Sequence, residues 1–537
     1  MKTTRTRRLR RAALFAVSAF GAAATLLAVD SSGAVASPAS GGANPIVRIH
    51  DGLVRGMTAG TVDEFLGLPY AAPPTGNLRW RPPAPPASWE GVRDATQFGP
   101  SCPQSPSPFA PPAPFSEDCL YLNVYAPATR GGDEGGRPVL VWIHGGGLTQ
   151  DGGRNYDGAK LAADGVVVVT INYRLGALGF LAHPALASRP GGAAGNYGLM
   201  DQQAALRWVQ RNIARFGGDP GNVTIAGQSA GGLSVLAQLV SPGARGLFQR
   251  AIVQSGTFAL NQQPLATAEA AGETFATAVG CPDQTAQCLR SVPVSDLVAK
   301  FGVEIPGVVD GSVLTQPIGT ALADGQFARV PVINGITHDE ELLFVVGLSL
   351  TVSQGTNILL AAPLSDPANY QPDIAQALGV SAARAAAIAN EYPLSAYPST
   401  VAAFSLLVSD ASFACPALQV DRWTAARGVP TYAYQFNDDN APVSFLGKSL
   451  GLATHGAELP YLFDLPNTPV LLSPDQQALG ASMRTDWASF AGTGNPSSRA
   501  LPWPSFNGTR VLSLVPLQSQ VTTDFATAHH CSFWAAG

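Results

Sequence analysis

The sequence predicts an α/β fold: a large, mostly parallel central sheet flanked by helices, with helical cap or insert segments. Three observations carry this reading. Apolar, β-branched runs recur along the chain, stretches of helical periodicity separate them, and one run leads directly into a Gly-x-Ser-x-Gly turn followed by another apolar, helix-like stretch. Strands buried on both faces read as continuous apolar runs rather than alternating ones, which is the pattern of a parallel sheet covered on two sides.

In chain order, the runs read as strands are Arg137–His144 (RPVLVWIH), Gly165–Arg174 (GVVVVTINYR), Asn222–Gly227 (NVTIAG), Arg250–Gln254, Val330–Ile336 (VPVINGI) and Pro430–Phe436 (PTYAYQF). Between the second and third, Gly198–Phe216 places Leu199, Ala205, Leu206, Val209 and Ile213 at helical spacing. From about Glu341 to Gly428, Ala-rich helical segments such as Ser381–Glu391 insert between two strands, where a cap over a site would lie.

Composition narrows the function. Of 537 residues 46% are hydrophobic and 13% charged, and 57 Gly and 44 Pro are scattered without a period. That excludes collagen-like and coiled-coil architectures. A formal net charge of −5 argues against a nucleic-acid partner. Residues 1–36 read as a signal peptide: Lys2, Arg5, Arg7, Arg8, Arg10 and Arg11 precede an apolar stretch from Ala12 to Val29, and Ala34-Val35-Ala36 fits a cleavage site. The stretch is rich in weakly hydrophobic Ala, Gly and Ser, which favours a cleaved leader over a membrane anchor. The Arg7-Arg8 pair leaves the general secretory and twin-arginine routes both open. Residues 37–45 read as a flexible leader, and 46–537 as one domain. Beyond residue 36 the nearest candidate for a membrane span, Leu342 to Leu350, is too short. Nothing in the sequence speaks to oligomeric state.

Six cysteines fit an oxidising compartment. Cys281 and Cys288 flank a turn-like stretch, Cys102 and Cys119 flank a Pro-rich loop, and Cys415 and Cys531 remain. Spacing only suggests these pairs. No C-x-x-C pattern, G-x-G-x-x-G motif or phosphate-loop lysine is present, so neither a metal nor a cofactor is expected.

The chemistry centres on Gly227-Gln228-Ser229-Ala230-Gly231. A G-x-S-x-G pattern alone is weak. Here a strand enters it and an apolar helix-like stretch, Gly232–Leu239, leaves it, and its small residues permit the sharp turn that lifts a serine hydroxyl above a sheet. Such a serine needs a base. His50 and His183 lack a supporting motif, His144 belongs to another one, and His338 fits only an early acid. His455 lies in a Thr-His-Gly loop after the last predicted strand, where it would reach over the sheet; His529 and His530 abut Cys531 and read as surface residues. The acid should follow the strand VPVINGI, at Asp339, Glu340 or Glu341, and spacing does not choose among them. His144-Gly145-Gly146-Gly147, after the strand VLVWI, matches a loop that supplies backbone N–H donors to an oxyanion.

From Val47 to Trp534 the chain resembles the type-B carboxylesterase/lipase family, the cholinesterase-like branch of the α/β-hydrolases. The resemblance rests on GLPYAAPPTGNLRW (Gly67–Trp80), EDCLYLNVYAP (Glu117–Pro127), WIHGGG (Trp142–Gly147), NYRLGALGFL (Asn172–Leu181), NYGLMDQQAALRWVQRNI (Asn196–Ile213), FGGDPGNVTIAGQSAGG (Phe216–Gly232) and THGAELPYLF (Thr454–Phe463). It implies Ser229 as nucleophile, His455 as base and Glu340 as acid, with oxyanion donors at Gly146, Gly147 and Ala230. Glu341 stands where the family usually has Gly. The resemblance also implies ion pairs Arg79–Glu117 and Arg174–Asp201, and disulfides Cys102–Cys119, Cys281–Cys288 and Cys415–Cys531.

The expectation is therefore a secreted serine carboxylesterase acting on small-molecule esters through an acyl-enzyme, with no metal or cofactor. A lipase or sterol esterase on the same machinery is the alternative, and a non-catalytic binding protein the remote one, disfavoured by the complete Ser/Glu/His set. In the cholinesterases that the chain resembles, a key tryptophan lies in the loop closed by the first disulfide. Here that loop, Pro103–Asp118, holds only Phe109 and Phe115 as aromatics, so a specialised choline site is not expected.

Overall fold

The apolar runs meet in one eleven-stranded sheet in the computed structural model of the chain. The residues described are 44–107, 111–112, 114–128, 136–187, 194–301, 307–342, 366–442, 444–445, 448–449, 452–498 and 502–536. The expected signal peptide at 1–36, most of the flexible leader, the run Leu342–Leu350 beyond its first residue and Phe109 lie outside them. Residues 44–537 form one compact unit.

The strands are β1 (Met57–Ala59), β2 (Val62–Pro69), β3 (Tyr121–Pro127), β4 (Arg137–Ile143), β5 (Val167–Ile171), β6 (Gly218–Gln228), β7 (Arg250–Gln254), β8 (Val332–Thr337), β9 (Thr431–Phe436), β10 (Val511–Leu514) and β11 (Gln520–Thr522). Their spatial order is β11-β10-β9-β8-β7-β6-β4-β5-β3-β2-β1. From β5 through β10 every neighbouring pair is parallel; β1–β3 and β11 join antiparallel at the two edges.

All six runs read as strands lie in the parallel centre. Successive side chains of a strand face opposite sides of the sheet, and β4 shows it. Val139, Val141 and Ile143 pack in one apolar layer with Leu206, Trp208 and Val235, whereas Leu140 and Trp142 pack in the other with Met483, Trp487 and Phe490. The first layer is covered by helices α1 (Tyr197–Asn212) and α2 (Ala230–Val240), the second by a helix over Pro474–Thr493. Every residue of α2 is buried. A helix so placed can be apolar nearly all round; its two polar side chains, Ser234 and Gln238, are bonded to Gln202 and Gln203 of α1.

The segment between β8 and β9 is helical where it is described: α3 (Tyr370–Leu378), α4 (Ala382–Glu391), α5 (Thr400–Ser409) and α6 (Cys415–Ala426). A π-helical turn, Asp410–Ala414, joins α5 to α6. The continuous helix Thr400–Ala426 is long and apolar enough to cross a membrane by length and composition, but 61% of its apolar window is buried inside the protein. Disulfides link Cys102–Cys119, Cys281–Cys288 and Cys415–Cys531, the pairs that the resemblance implies.

Candidate active site

β6 ends at Gln228 and α2 begins at Ala230, so one residue, Ser229, makes the whole turn. Its φ of 59° and ψ of −127° lie where residues with a side chain are rarely found. Its N–H donates to the Gln254 carbonyl on β7 at 2.8 Å, and its carbonyl accepts from Leu233 N–H at 2.9 Å. Two positions on, only glycine fits: a β-carbon on Gly231 would lie 2.0 Å from the Ile143 carbonyl at the end of β4. The helix therefore starts in direct contact with the strand that feeds the next loop.

That loop is His144–Gly147. A β-carbon on Gly145 would sit 3.0 Å from Cβ of Ser229, so the loop runs alongside the serine. Gly146 (φ 79°) and Gly147 (φ 62°) adopt left-handed backbone. Burial pushes the His144 imidazole down to about 3, which keeps it neutral. Its ring stacks on Tyr173 at 4.3 Å, and the Tyr173 hydroxyl donates to the His144 carbonyl at 2.8 Å.

Across the sheet, the residues after β8 and β9 meet. Asp339 N–H donates to the Ala453 carbonyl at 2.8 Å, which aligns the two loops. Of the three carboxylates that sequence left open, Glu340 is the one on His455: Nδ1 and Oε2 are 2.5 Å apart. Glu340 is fully buried, 0% exposed, and its other oxygen accepts from Thr337 N–H at 2.9 Å. Asp339 turns instead to His338, at 3.1 Å. Burial pushes the His455 imidazole down, but Glu340, with help from Glu458 and Glu341, outweighs it and holds the group above its ordinary value. Nε2 of His455 faces the Gln228 side-chain amide at 3.1 Å, next to Ser229.

Two more carboxyl groups crowd this site. Burial raises both Glu341 and Glu458 to about 7. Glu341 is fixed by its N–H, which donates to Ser409 Oγ on α5 at 3.0 Å. Glu458, 1% exposed, accepts from Gln254 Nε2 at 3.1 Å. Sequence reasoning missed Glu458; its signal was its place three residues after His455, within the segment THGAELPYLF. The helical insert reaches the site through Phe413 of the π turn, whose ring lies 5.4 Å from that of His455.

The implied ion pairs are present: Arg79 bonds both oxygens of Glu117 at 2.7 Å, and Arg174 bonds those of Asp201 at 2.7 and 2.8 Å. One expectation is corrected. His529 is no surface residue: it is 1% exposed, with Nδ1 2.5 Å from Asp410 Oδ1 and Nε2 2.7 Å from the Gln435 amide. Asp410 sits in the π turn, and a buried carboxylate there requires a partner, which the residue beside Cys531 supplies. His530 is half-buried, 2.7 Å from Glu391. Among the described residues, the one cluster with metal-ligating atoms, Cys281, Asp283 and Cys288, is taken up by its disulfide.

A serine on a strained strand-to-helix turn, a glycine loop beside it and an imidazole held by a buried carboxylate suit nucleophilic acyl transfer. Together with a mostly parallel sheet in this order, they define an α/β-hydrolase. The chain belongs to the carboxylesterase family, whose model matches residues 43–534, and it is a carboxylic ester hydrolase acting on small-molecule esters. It is 38% identical to the cocaine esterase of Oryctolagus cuniculus over 494 residues, 87% of this chain and 91% of that one. It is 36% identical to the fumonisin B1 esterase of Sphingopyxis macrogoltabida over 476 residues, 85% and 83% of the two chains. With the para-nitrobenzyl esterase of Bacillus subtilis (strain 168) it shares 35% over 512 residues, 89% and 96%.

The buried Asp410–His529 pair resembles the Glu340–His455 pair but lies against no serine elbow. His529→Ala should therefore cost stability, by about 3 kcal/mol for a broken buried pair, while kcat of the folded enzyme stays near wild type. Unfolding midpoints and steady-state kinetics on one preparation check both halves. A collapse of kcat with unchanged stability would contradict the distinction.

Proposed function

We propose that the protein is a secreted serine carboxylesterase in which Ser229, His455 and Glu340 form the catalytic triad. The observation that carries this is the 2.5 Å contact between buried Glu340 and His455, whose Nε2 faces the residue adjoining Ser229. Ser229 Oγ attacks the ester carbonyl carbon while His455 Nε2 takes its proton. Glu340 holds the imidazole and favours its charged form. The backbone N–H groups of Gly146, Gly147 and Ala230 receive the tetrahedral oxyanion, at the N-terminus of α2 where the helix dipole also favours negative charge. His455 then protonates the leaving alcohol. Water, deprotonated by the same His455, attacks the acyl-enzyme and releases the acid and the serine.

Ser229→Ala should abolish labelling by an organophosphonate and lower kcat by several orders of magnitude, because triad members act as a unit. The base must be neutral to act, and Glu340 holds His455 above its ordinary value. The acidic limb of kcat/KM should thus have its midpoint above about 6.5. Labelling of the Ala variant, or a flat profile down to about pH 5, would defeat the assignment.

The substrate reading is a general organic ester rather than an ester of choline. Relatives are named for substrates as different as cocaine, pyrethroids, fumonisin B1, acylcarnitine and para-nitrobenzyl esters, and the loop Pro103–Asp118 holds no tryptophan for a choline group. A panel decides: a choline ester should be hydrolysed no faster than its 3,3-dimethylbutyl isostere. A preference of tenfold or more, about 1.4 kcal/mol, would reverse this. Preference for long-chain emulsified esters would instead mark a lipase.

Export is supported by three disulfides, which form and persist in oxidising compartments, and by the leader-like residues 1–36. Protein recovered from the culture medium should begin at Ser37. Mass spectrometry of intact medium protein still carrying residues 1–36 would refute cleavage there.

A further inference from the structure

The loop closed by Cys102–Cys119 contributes nothing to the triad, yet one of its side chains is bonded twice to the turn that follows the glycine loop. Gln104 is buried, and its Oε1 accepts from the Asp151 backbone N–H at 2.8 Å. Its Nε2 donates to the Asp151 carbonyl at 2.9 Å and to the Cys102 carbonyl, beside the disulfide, at 3.0 Å. A primary amide engaging both the donor and the acceptor of one residue holds that backbone as a neighbouring strand would. In the same loop, Ser107 Oγ donates to Gln150 Oε1 at 2.5 Å.

Asp151 ends the turn that Gly146 begins. Thr149 and Gln150 N–H both donate to the Gly146 carbonyl, at 3.0 and 3.1 Å. The turn is so tight that a β-carbon on Gly146 would lie 2.2 Å from the Gln150 carbonyl. Leu148 (φ 59°) and Asp151 (φ 86°) adopt backbone that residues with side chains avoid. Such conformations persist only where the surroundings over-determine them. The Asp151 carboxylate is held from beyond the turn, by Gly152 N–H at 2.7 Å and by Asn155 Nδ2 and the Tyr156 hydroxyl at 2.6 Å each. Its N–H and carbonyl are held by Gln104.

We infer that Gln104 is a positioning residue for ester hydrolysis: from the disulfide loop it fixes the turn that aims the Gly146 and Gly147 N–H groups. The inference rests on the reading of those two glycines as oxyanion donors. Gln104 acts through the Asp151 peptide and touches no substrate. Because donors must meet the oxyanion rather than the ground-state carbonyl, slackening the turn lowers kcat and leaves KM nearly unchanged. A donor misplaced by about 1 Å costs on the order of 100-fold.

The test uses two variants of the full chain. Gln104→Met keeps the length of the side chain and loses every bond; Gln104→Glu keeps the acceptor and loses the donor. For Gln104→Met, kcat on a short-chain ester should fall roughly 10- to 100-fold with KM within about threefold. The Kd of a trifluoromethyl ketone, whose serine adduct places an oxyanion on the same donors, should rise by the same factor. Gln104→Glu should fall between, and the acidic limb of the pH profile should not move, because Glu340 and His455 are untouched. A merely structural role would lower the unfolding midpoint and spare both kcat and ketone affinity. Folded Gln104→Met with both within about twofold of wild type overturns the inference; if that variant does not fold, Gln104→Glu carries the same comparison. Wild-type enzyme binding the ketone no tighter than its unfluorinated methyl counterpart would instead overturn the oxyanion reading. Tight wild-type binding that Gln104→Met matches would reject Gln104 alone.

Discussion

The site is organised by the steric contact between the start of α2 and the end of β4. With no β-carbon on Gly231, the helix backbone comes so near the Ile143 carbonyl that a β-carbon there would clash at 2.0 Å. That approach requires the chain to reverse within Ser229 alone, at φ 59°. It also sets the His144–Gly147 loop beside the serine, because the loop starts where β4 ends. Strain at Ser229 is tolerated because α2 is buried along its whole length and its first turn is bonded to β7.

Around this contact, charge is arranged sparingly. Three carboxyl groups, Glu340, Glu341 and Glu458, lie within electrostatic reach of His455. Burial and the proximity of like charge hold Glu341 and Glu458 near 7, where each is about half protonated at neutral pH and largely protonated below it. Glu340 differs in being bonded on both oxygens, by Thr337 N–H and by His455. The imidazole thus has one carboxyl group bonded to it and two further ones whose charge changes around neutral pH. His144 has a carboxylate oxygen of Asp151 4.0 Å from Nδ1, but burial keeps it neutral, so the glycine loop carries no competing cation.

Much of this was legible in the sequence because it depends on local, repeated physics. The six central strands are apolar on both faces, so their runs show without any partner. Ser229 and the glycine loop announce themselves through small residues at a strand end, where backbone must approach backbone. The outer strands β1–β3, β10 and β11 were not read. β2 carries Asp63 and Glu64, β11 is three residues long, and edge strands need no continuous apolar run. Spacing could not choose Glu340 over Asp339 or Glu341, since that depends on which side chain a loop from β9 meets. His529 was misread for a related reason. Its neighbour Cys531 suggested a surface tether, but its burial comes from Asp410, 119 residues earlier. Gln104 has no motif, and Glu458 stands in the THGAELPYLF segment with nothing local to show its role; their partners, Asp151 and Gln254, are 47 and 204 residues away.

The separation of the proposed triad along the chain has a kinetic side. Glu340 and His455 are 115 residues apart and approach only when β8 and β9 pair in parallel across the intervening helices. Parallel pairing closes long loops before any contact rewards it, and is among the slowest steps a chain of this size takes. Helices and local turns close short loops and need not wait for the last two loops to meet. Return of turnover during refolding times that final closure, while circular dichroism times the earlier events, and the interval between them is when unpaired strands are exposed to aggregation.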